Sequence, residues 1–489
     1  MRAMKSSIFT IRSLRGVLNI SLVLGLTAAL SLGPMGITAS RAITIQEEEE
    51  LSREILKEIK QHFRLIHDPM IVDYVNDLGR KILEGLPAQH FRYQFYVIDS
   101  PVYNAFATPA GHIFFNSGLL VALEDEAELA GILAHEIAHV ACRHISSKIE
   151  KSKKVQLGSL AGLAAGLLLG AATGSGEVAQ ATAMGALAGG QSAMLAFSRE
   201  DEIQADQLGL DYLHKSGYSG EGLLQALVKI RSKQWYGSDQ IPTYLSTHPA
   251  SEDRIAYLGS RIDAGEPGID KSDTNPDPTA FDWARARTLA LYGDRDLARN
   301  TFEQALAAHG DDPVANYGLG LSLARADQWS AAQAHLQKAL ARNAFNPHML
   351  TDLGRVYFHT GDYGQARRSL EGALALSSRN EEARLYLGRT LLEQNDPRQA
   401  VAALEPSVSP GTQDPMIYYF LGSAYDQLGR KAEAYYYLGN FYFANRKWAQ
   451  ARKQFERALA AGLKGERVAE VKDRLEKTTQ SEASEQRPS

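Results

Sequence analysis

Residues 135–139 read His135-Glu136-Ile137-Ala138-His139 within an apolar, helix-forming stretch from Glu126 to Lys148. Side chains four apart on a helix share a face, so both imidazoles can hold one metal ion. Glu136 lies beside the first imidazole and can take a proton from water activated at that ion. Two histidines with an intervening glutamate at this spacing form the HExxH arrangement of zinc-dependent peptide hydrolysis.

A catalytic zinc takes three protein ligands and keeps one position open. The stretch Ser198-Arg199-Glu200-Asp201-Glu202-Ile203-Gln204-Ala205-Asp206 opens on an N-cap residue and reads as helix. Glu202 and Asp206 are four apart and share a face. Glu202 completes a His-His-Glu set, and Asp206 can accept a hydrogen bond from a ligand imidazole and fix its tautomer. Glu200 and Asp201 face elsewhere and complement the helix dipole. Asn104–Thr108 and His112–Asn116 flank Pro109-Ala110-Gly111 and read as a β-hairpin. Asp125 should cap the histidine-bearing helix, with Glu128 closing a capping box. Cys142, the only cysteine, reads as a small buried residue on that helix, and His144, five residues past His139, as lying on another face.

These elements sit in a chain of 489 residues, long enough for two or three domains. With 52 basic and 57 acidic residues, the net charge of −5 gives no sign of a nucleic-acid partner. Residues 1–42 combine a basic start (Arg2, Lys5, Arg12, Arg15), an uncharged apolar run from Val17 to Gly33 and small residues ending at Ser40-Arg41-Ala42, the pattern of a secretory signal peptide. Export without disulfides suggests a periplasm. Residues 43–265 form the expected peptidase domain, and residues 266–280, rich in Pro, Gly and Asp, a linker.

From residue 281 to 479 the chain is helical and repetitive. Leu319-Gly320, Leu353-Gly354, Leu387-Gly388 and Leu421-Gly422 recur every 34 residues, the period of tetratricopeptide helix pairs. Ala332, Ala366, Ala400 and Ala434 follow each glycine by twelve residues and let paired helices approach. Leu438-Gly439 and Ala451 match the template half a period early, so the helix around 435–443 should close one pair and open the next. Such arrays form a solenoid whose concave face holds a peptide or partner. Residues 480–489 read as a disordered tail. The fold class is therefore mainly α: an α+β zincin-like domain with a short β-hairpin, followed by an α-solenoid.

Between Lys154 and Arg199 the only charge is Glu177, and glycines recur at 158, 162, 166, 170 and 174. This reads as two helices packed through small residues. The first would rise about 28 Å, borderline for a bilayer. The expectation is a hairpin beside the active-site mouth, with contact of 155–195 with a membrane surface as the alternative.

The pair HEIAH and SREDEIQAD resembles the HtpX-like and CAAX-prenyl-protease-like zinc metallopeptidases. The signal pattern and the repeat array resemble their periplasmic branch, the β-barrel assembly-enhancing protease type. That resemblance implies one zinc on His135, His139 and Glu202, with Glu136 as general base and Asp206 behind the ligands. It also implies substrate backbone pairing on an edge strand beside the helix. A His-Pro followed shortly by Arg recurs in the family and here is His248-Pro249 with Arg254. The resemblance favours His248 as a plug on the open coordination site over a donor to the oxyanion. The expected function is periplasmic zinc endopeptidase action on unfolded or misassembled outer-membrane proteins, with the array docking clients or outer-membrane assembly machinery. The alternative is a chaperone or assembly adaptor whose peptidase site is largely self-inhibited.

Overall fold

The computed structural model describes residues 43–87, 89–151, 197–232, 243–265, 279–409 and 414–485. The expected signal peptide (1–42), most of the linker, the apolar stretch 155–195 and the last four residues lie outside them. No helix among the described residues is long and apolar enough to cross a membrane.

The first domain begins with α1 (Ile45–His62), β1 (Leu65–Ile66), α2 (Pro69–Glu84) and β2 (Gln94–Ile98). The hairpin strands β3 (Ala105–Ala107) and β4 (His112–Asn116) follow, then α3 (Ser117–Ala122), α4 (Glu126–Ala141) and α5 (His144–Lys151). Beyond 196 come α6 (Arg199–Lys215), α7 (Glu221–Arg231), α8 (Thr243–Thr247) and α9 (Glu252–Gly265). The hairpin is part of a four-stranded sheet ordered β1-β2-β4-β3, in which β2 runs parallel to β4 and the other pairs are antiparallel. Sequence signals mark only the hairpin, because β1 is two residues long.

Strand alternation builds two layers on this sheet. Ile113 and Phe115 face the main core around α4, whereas Phe106, Phe114 and Ile98 face Leu51, Ile55 and Ile59 of α1. The β3–β4 turn requires left-handed backbone at Ala110 and Gly111. β3 forms one sheet edge and packs on α4.

Helix α4 carries the two motif histidines, and every residue from Glu128 to Val140 is buried. It is an interior helix, apolar on all sides except where the site chemistry sits. Asp125 caps it by accepting from the Glu128 N–H. The expected capping box does not close: the Glu128 carboxylate accepts from the Glu124 N–H and pairs with Lys229 of α7. Gly131 explains how close α7 comes. A Cβ there would lie 2.6 Å from Leu223 backbone atoms.

The second domain runs from α10 (Ala280–Tyr292) through α11 (Arg295–Ala308), α12 (Pro313–Arg325), α13 (Trp329–Arg342), α14 (Pro347–Thr360), α15 (Tyr363–Leu376), α16 (Glu381–Glu393) and α17 (Pro397–Leu404). It continues with α18 (Met416–Gln427), α19 (Lys431–Ala444), α20 (Trp448–Ala460) and α21 (Glu466–Glu485). The period-34 glycines meet leucines of the paired helix: Gly320 meets Leu336, Gly354 Leu370, Gly388 Leu404 and Gly422 Leu438. Helix α19 serves two pairs, since Leu438 sits against Gly422 while Gly439 sits against Phe455. Helix α21 continues through Glu485 and replaces the first part of the tail expected from residue 480.

The two domains are not beads on a string. Phe281 of α10 is buried in the main core of the first domain. Arg285 donates to the Val121 carbonyl. Arg287, fully buried, joins Asp68 at the start of α2 to Tyr317 and Asp352 of the array. Replacing Arg287 by Met leaves the Asp68 carboxylate without its cation and Asp352 with Arg355 alone. We expect about 3–5 kcal/mol of lost stability, read as an earlier denaturant midpoint of the whole chain at an unchanged metal content.

Candidate metal centre

Helices α4 and α6 and the segment between α8 and α9 converge on one buried point. His135, His139, Glu202 and His248 each place a donor atom within 4.8 Å of the others. His135 Nε2 and His139 Nε2 are 3.0 Å apart. Glu202 lies 3.5 Å from His135 Nε2 and 3.4 Å from His139 Nε2. His248 Nδ1 lies 3.0 Å from Glu202 Oε1 and 3.4 Å from His135 Nε2. Ligands held at about 2.0–2.1 Å in a tetrahedron are about 3.3 Å apart. The donor spacings therefore fit one small divalent cation, and His248 stands at the fourth vertex.

Glu136, one residue after His135, is buried with both carboxylate oxygens lacking a hydrogen-bond partner among the described residues. His248 Nε2 is 3.5 Å from its Oε1. Both oxygens therefore remain able to accept from a ligand in the cavity.

Behind the donors, Asp206 Oδ1 accepts from His135 Nδ1 at 3.0 Å, the partnership expected from its spacing. Arg254 grips both carboxylates of α6. Its Nε and Nη2 donate to the two Asp206 oxygens at 2.6 and 2.7 Å, and its Nη1 meets Glu202. Burial raises the Glu202 carboxyl, but the His248 and Arg254 charges and the ligand imidazoles hold it well below its usual range. Asp206 is likewise lowered despite burial, chiefly by Arg254. Glu200 and Asp201 stay out of the four-donor cluster; Asp201 closes a capping box with Ser198 and lies 3.7 Å from His144 Nε2.

Three contributors escape sequence reading. His144 does not lie on another face of a continuous helix. Helix α4 stops at Ala141, Cys142 is its half-buried C-cap rather than an interior residue, and Arg143 adopts φ +53°. That left-handed step swings His144 back, so its Nδ1 is 2.9 Å from His139 Nδ1 and its Nε2 is 3.0 Å from Gln204 Oε1. Were His139 to hold a cation through Nε2, its Nδ1 would donate to His144, and His144 Nε2 would donate to Gln204. Arg143 is neither Gly nor Asn, so nothing local announced the turn. Its guanidinium is tied to Glu48 and the Ile43 carbonyl of the N-terminal segment. Tyr244 is the second. It is fully buried, its ring stacks on His248 at 4.6 Å, and its hydroxyl has no partner among the described residues. The third is Arg254 itself, visible in sequence only as a recurring neighbour of His-Pro.

Residues 73–262 match the family described as Peptidase family M48. Stretches 284–347, 317–381, 357–422 and 431–462 match tetratricopeptide repeat families. The chain thus carries a peptidase family M48 domain followed by tetratricopeptide repeats. Among named proteins, it is 28% identical over 313 residues to the beta-barrel assembly-enhancing protease of Escherichia coli (strain K12), covering 63% of each chain. It is 28% identical over 328 residues to the Yersinia pestis protein of that name, covering 64% of each. Mitochondrial metalloendopeptidase OMA1 of Arabidopsis thaliana is 31% identical over 179 residues, 36% of this chain and 32% of that one. The chain spans just under two thirds of the length of the two bacterial relatives.

Burial and the Arg254 charge push the His135 imidazole down, yet its bonds to Asp206 and Glu202 outweigh them and raise it to about 9. Without a cation, His135 is therefore protonated at pH 7, and a cation must displace that proton. Calorimetric titration of metal-free chain with Zn2+ in buffers of different ionisation enthalpy should show release of about one proton per site near pH 7, declining above pH 9. Proton-neutral binding at pH 7 would contradict it.

Proposed function

We propose that the chain is a zinc-dependent endopeptidase, with His135, His139 and Glu202 as ligands and Glu136 as general base. The observation that carries this reading is the close-set cluster of four donors beside a buried glutamate that accepts no hydrogen bond among the described residues. Two imidazoles and a carboxylate suit zinc. When bound, the cation supplies Lewis-acid polarisation of the scissile carbonyl and acidifies water. Glu136 takes the proton from the attacking water and returns it to the departing amine. Asp206 and Arg254 keep His135 and Glu202 aimed, and β3 offers an edge on which an extended substrate backbone can pair.

The name of the bacterial relatives, beta-barrel assembly-enhancing protease, supports a reading of substrate, partners and compartment. The reading is action in the periplasm on unfolded or misassembled outer-membrane proteins, with the repeats docking clients or assembly machinery. A second reading, an assembly adaptor whose peptidase site is held shut, is favoured by one observation: His248 at the vertex that a substrate carbonyl would need.

Glu136→Gln should leave metal content unchanged and lower casein cleavage by at least about 100-fold; retained cleavage would remove Glu136 from the mechanism. His248→Ala should raise cleavage if it plugs the cation and abolish it if it aids the oxyanion, and unchanged activity would sink both roles. To separate enzyme from adaptor, Glu136→Gln is compared with removal of residues 295–485 in an envelope-integrity assay. That cut retains α10, because Phe281 belongs to the first domain's core.

A further inference from the structure

The inner helices of the array carry a line of charge. Arg287 meets Asp68 and Asp352, and Arg355 meets Asp352 and Glu382. Steps of three and four residues continue the same face: Asp352, Arg355 and Phe358 on α14, then Glu382, Tyr386 and Arg389 on α16. Arg389 breaks the pattern. It has no carboxylate and no hydrogen-bond acceptor among the described residues. Its guanidinium lies instead 4.4 Å from the ring centre of Phe358, 4.7 Å from Tyr386 and 5.3 Å from Phe420 of α18. Three rings hold the cation in place while leaving its five N–H donors unused.

The chain itself displays what this face receives. Asp68 is the N-cap of α2, yet its side chain makes no capping hydrogen bond. The carboxylate goes to Arg287 of the array. Two residues on, Met70 packs on the repeat core, and its sulfur accepts from the Tyr317 hydroxyl at 3.5 Å. The first domain thus occupies the early repeats as a bound peptide would, with a carboxylate on an arginine and an apolar side chain beside it. The later repeats repeat that chemistry without an internal occupant among the described residues: an arginine, and aromatic rings that are only half-buried.

We infer that Arg389, with Phe358, Tyr386 and Phe420, is a docking site for a carboxylate-bearing segment of another protein, taking an Asp or Glu side chain on the guanidinium and an apolar residue two positions on against the rings. A charge-assisted bond to Arg in a ring-lined site stabilises such a contact while the rings exclude water. This rests on the reading that the array docks proteins, and narrows it to one place and one chemistry.

The test uses the full chain carrying Glu136→Gln, so that no probe is cleaved. The probe is a dye-labelled peptide with the sequence of residues 64–72, both ends blocked, read by fluorescence anisotropy. Arg389→Gln in the protein and Asp68→Asn in the peptide should each weaken binding about tenfold or more. The two together should weaken it little further, because they remove the same contact. Phe420→Ala, which keeps the charge, should also weaken it. Binding within twofold of the parent in Arg389→Gln would overturn the site. So would binding restricted to a peptide with a free C-terminal carboxylate, which would assign the cation to chain ends. If Arg389→Gln retains a urea-denatured outer-membrane protein as well as its parent, and removal of 295–485 loses it, docking by the array stands and the Arg389 site falls.

Discussion

Burying two carboxylates beside two imidazoles is the costly act around which the first domain is arranged, and Arg254 is what makes it tolerable. An unpaired buried charge costs several kcal/mol. Arg254 answers Glu202 and Asp206 at once, and each carboxylate then turns to an imidazole of α4. The order is strict: cation, carboxylate, imidazole, with every group short of water. The all-round apolar character of α4 follows from it, because only a dry helix gives these charges the low dielectric in which their mutual attraction is strong.

The repeat domain solves a different problem with the same currency of buried charge. Arg287 stands between carboxylates from both domains, and Phe281 enters the first domain's core. The first repeat helix belongs structurally to both halves. A composition-based boundary at residue 281 follows the change from loop to helix, but not the packing.

What the sequence made legible was whatever repeats or has a fixed period. Four-residue spacing put His135 with His139 and Glu202 with Asp206, and the 34-residue spacing set out the array down to the shared helix α19. What stayed hidden depends on long-range or unmarked backbone events. His144 reaches His139 only because Arg143 takes a left-handed conformation that its type disfavours. Tyr244 and Arg254 reach the site from α8 and α9, more than a hundred positions after α4 in sequence. Glu128 looked like half of a capping box but is claimed by Lys229, more than a hundred positions away in sequence. The terminal helix outlasts its apolar face because helix formation needs only local propensity.

His248 and Arg254 lie on one short strap. Its far end is fastened, since Arg254 is locked to α6 and Ser251 caps the following helix through its hydroxyl and carbonyl. Its near end is fastened as well, the His248 N–H donating to the Tyr244 carbonyl and the Phe197 N–H to the Thr247 carbonyl. Fastened at both ends, the strap brings the His248 imidazole and the Arg254 guanidinium to the same carboxylate, that of Glu202.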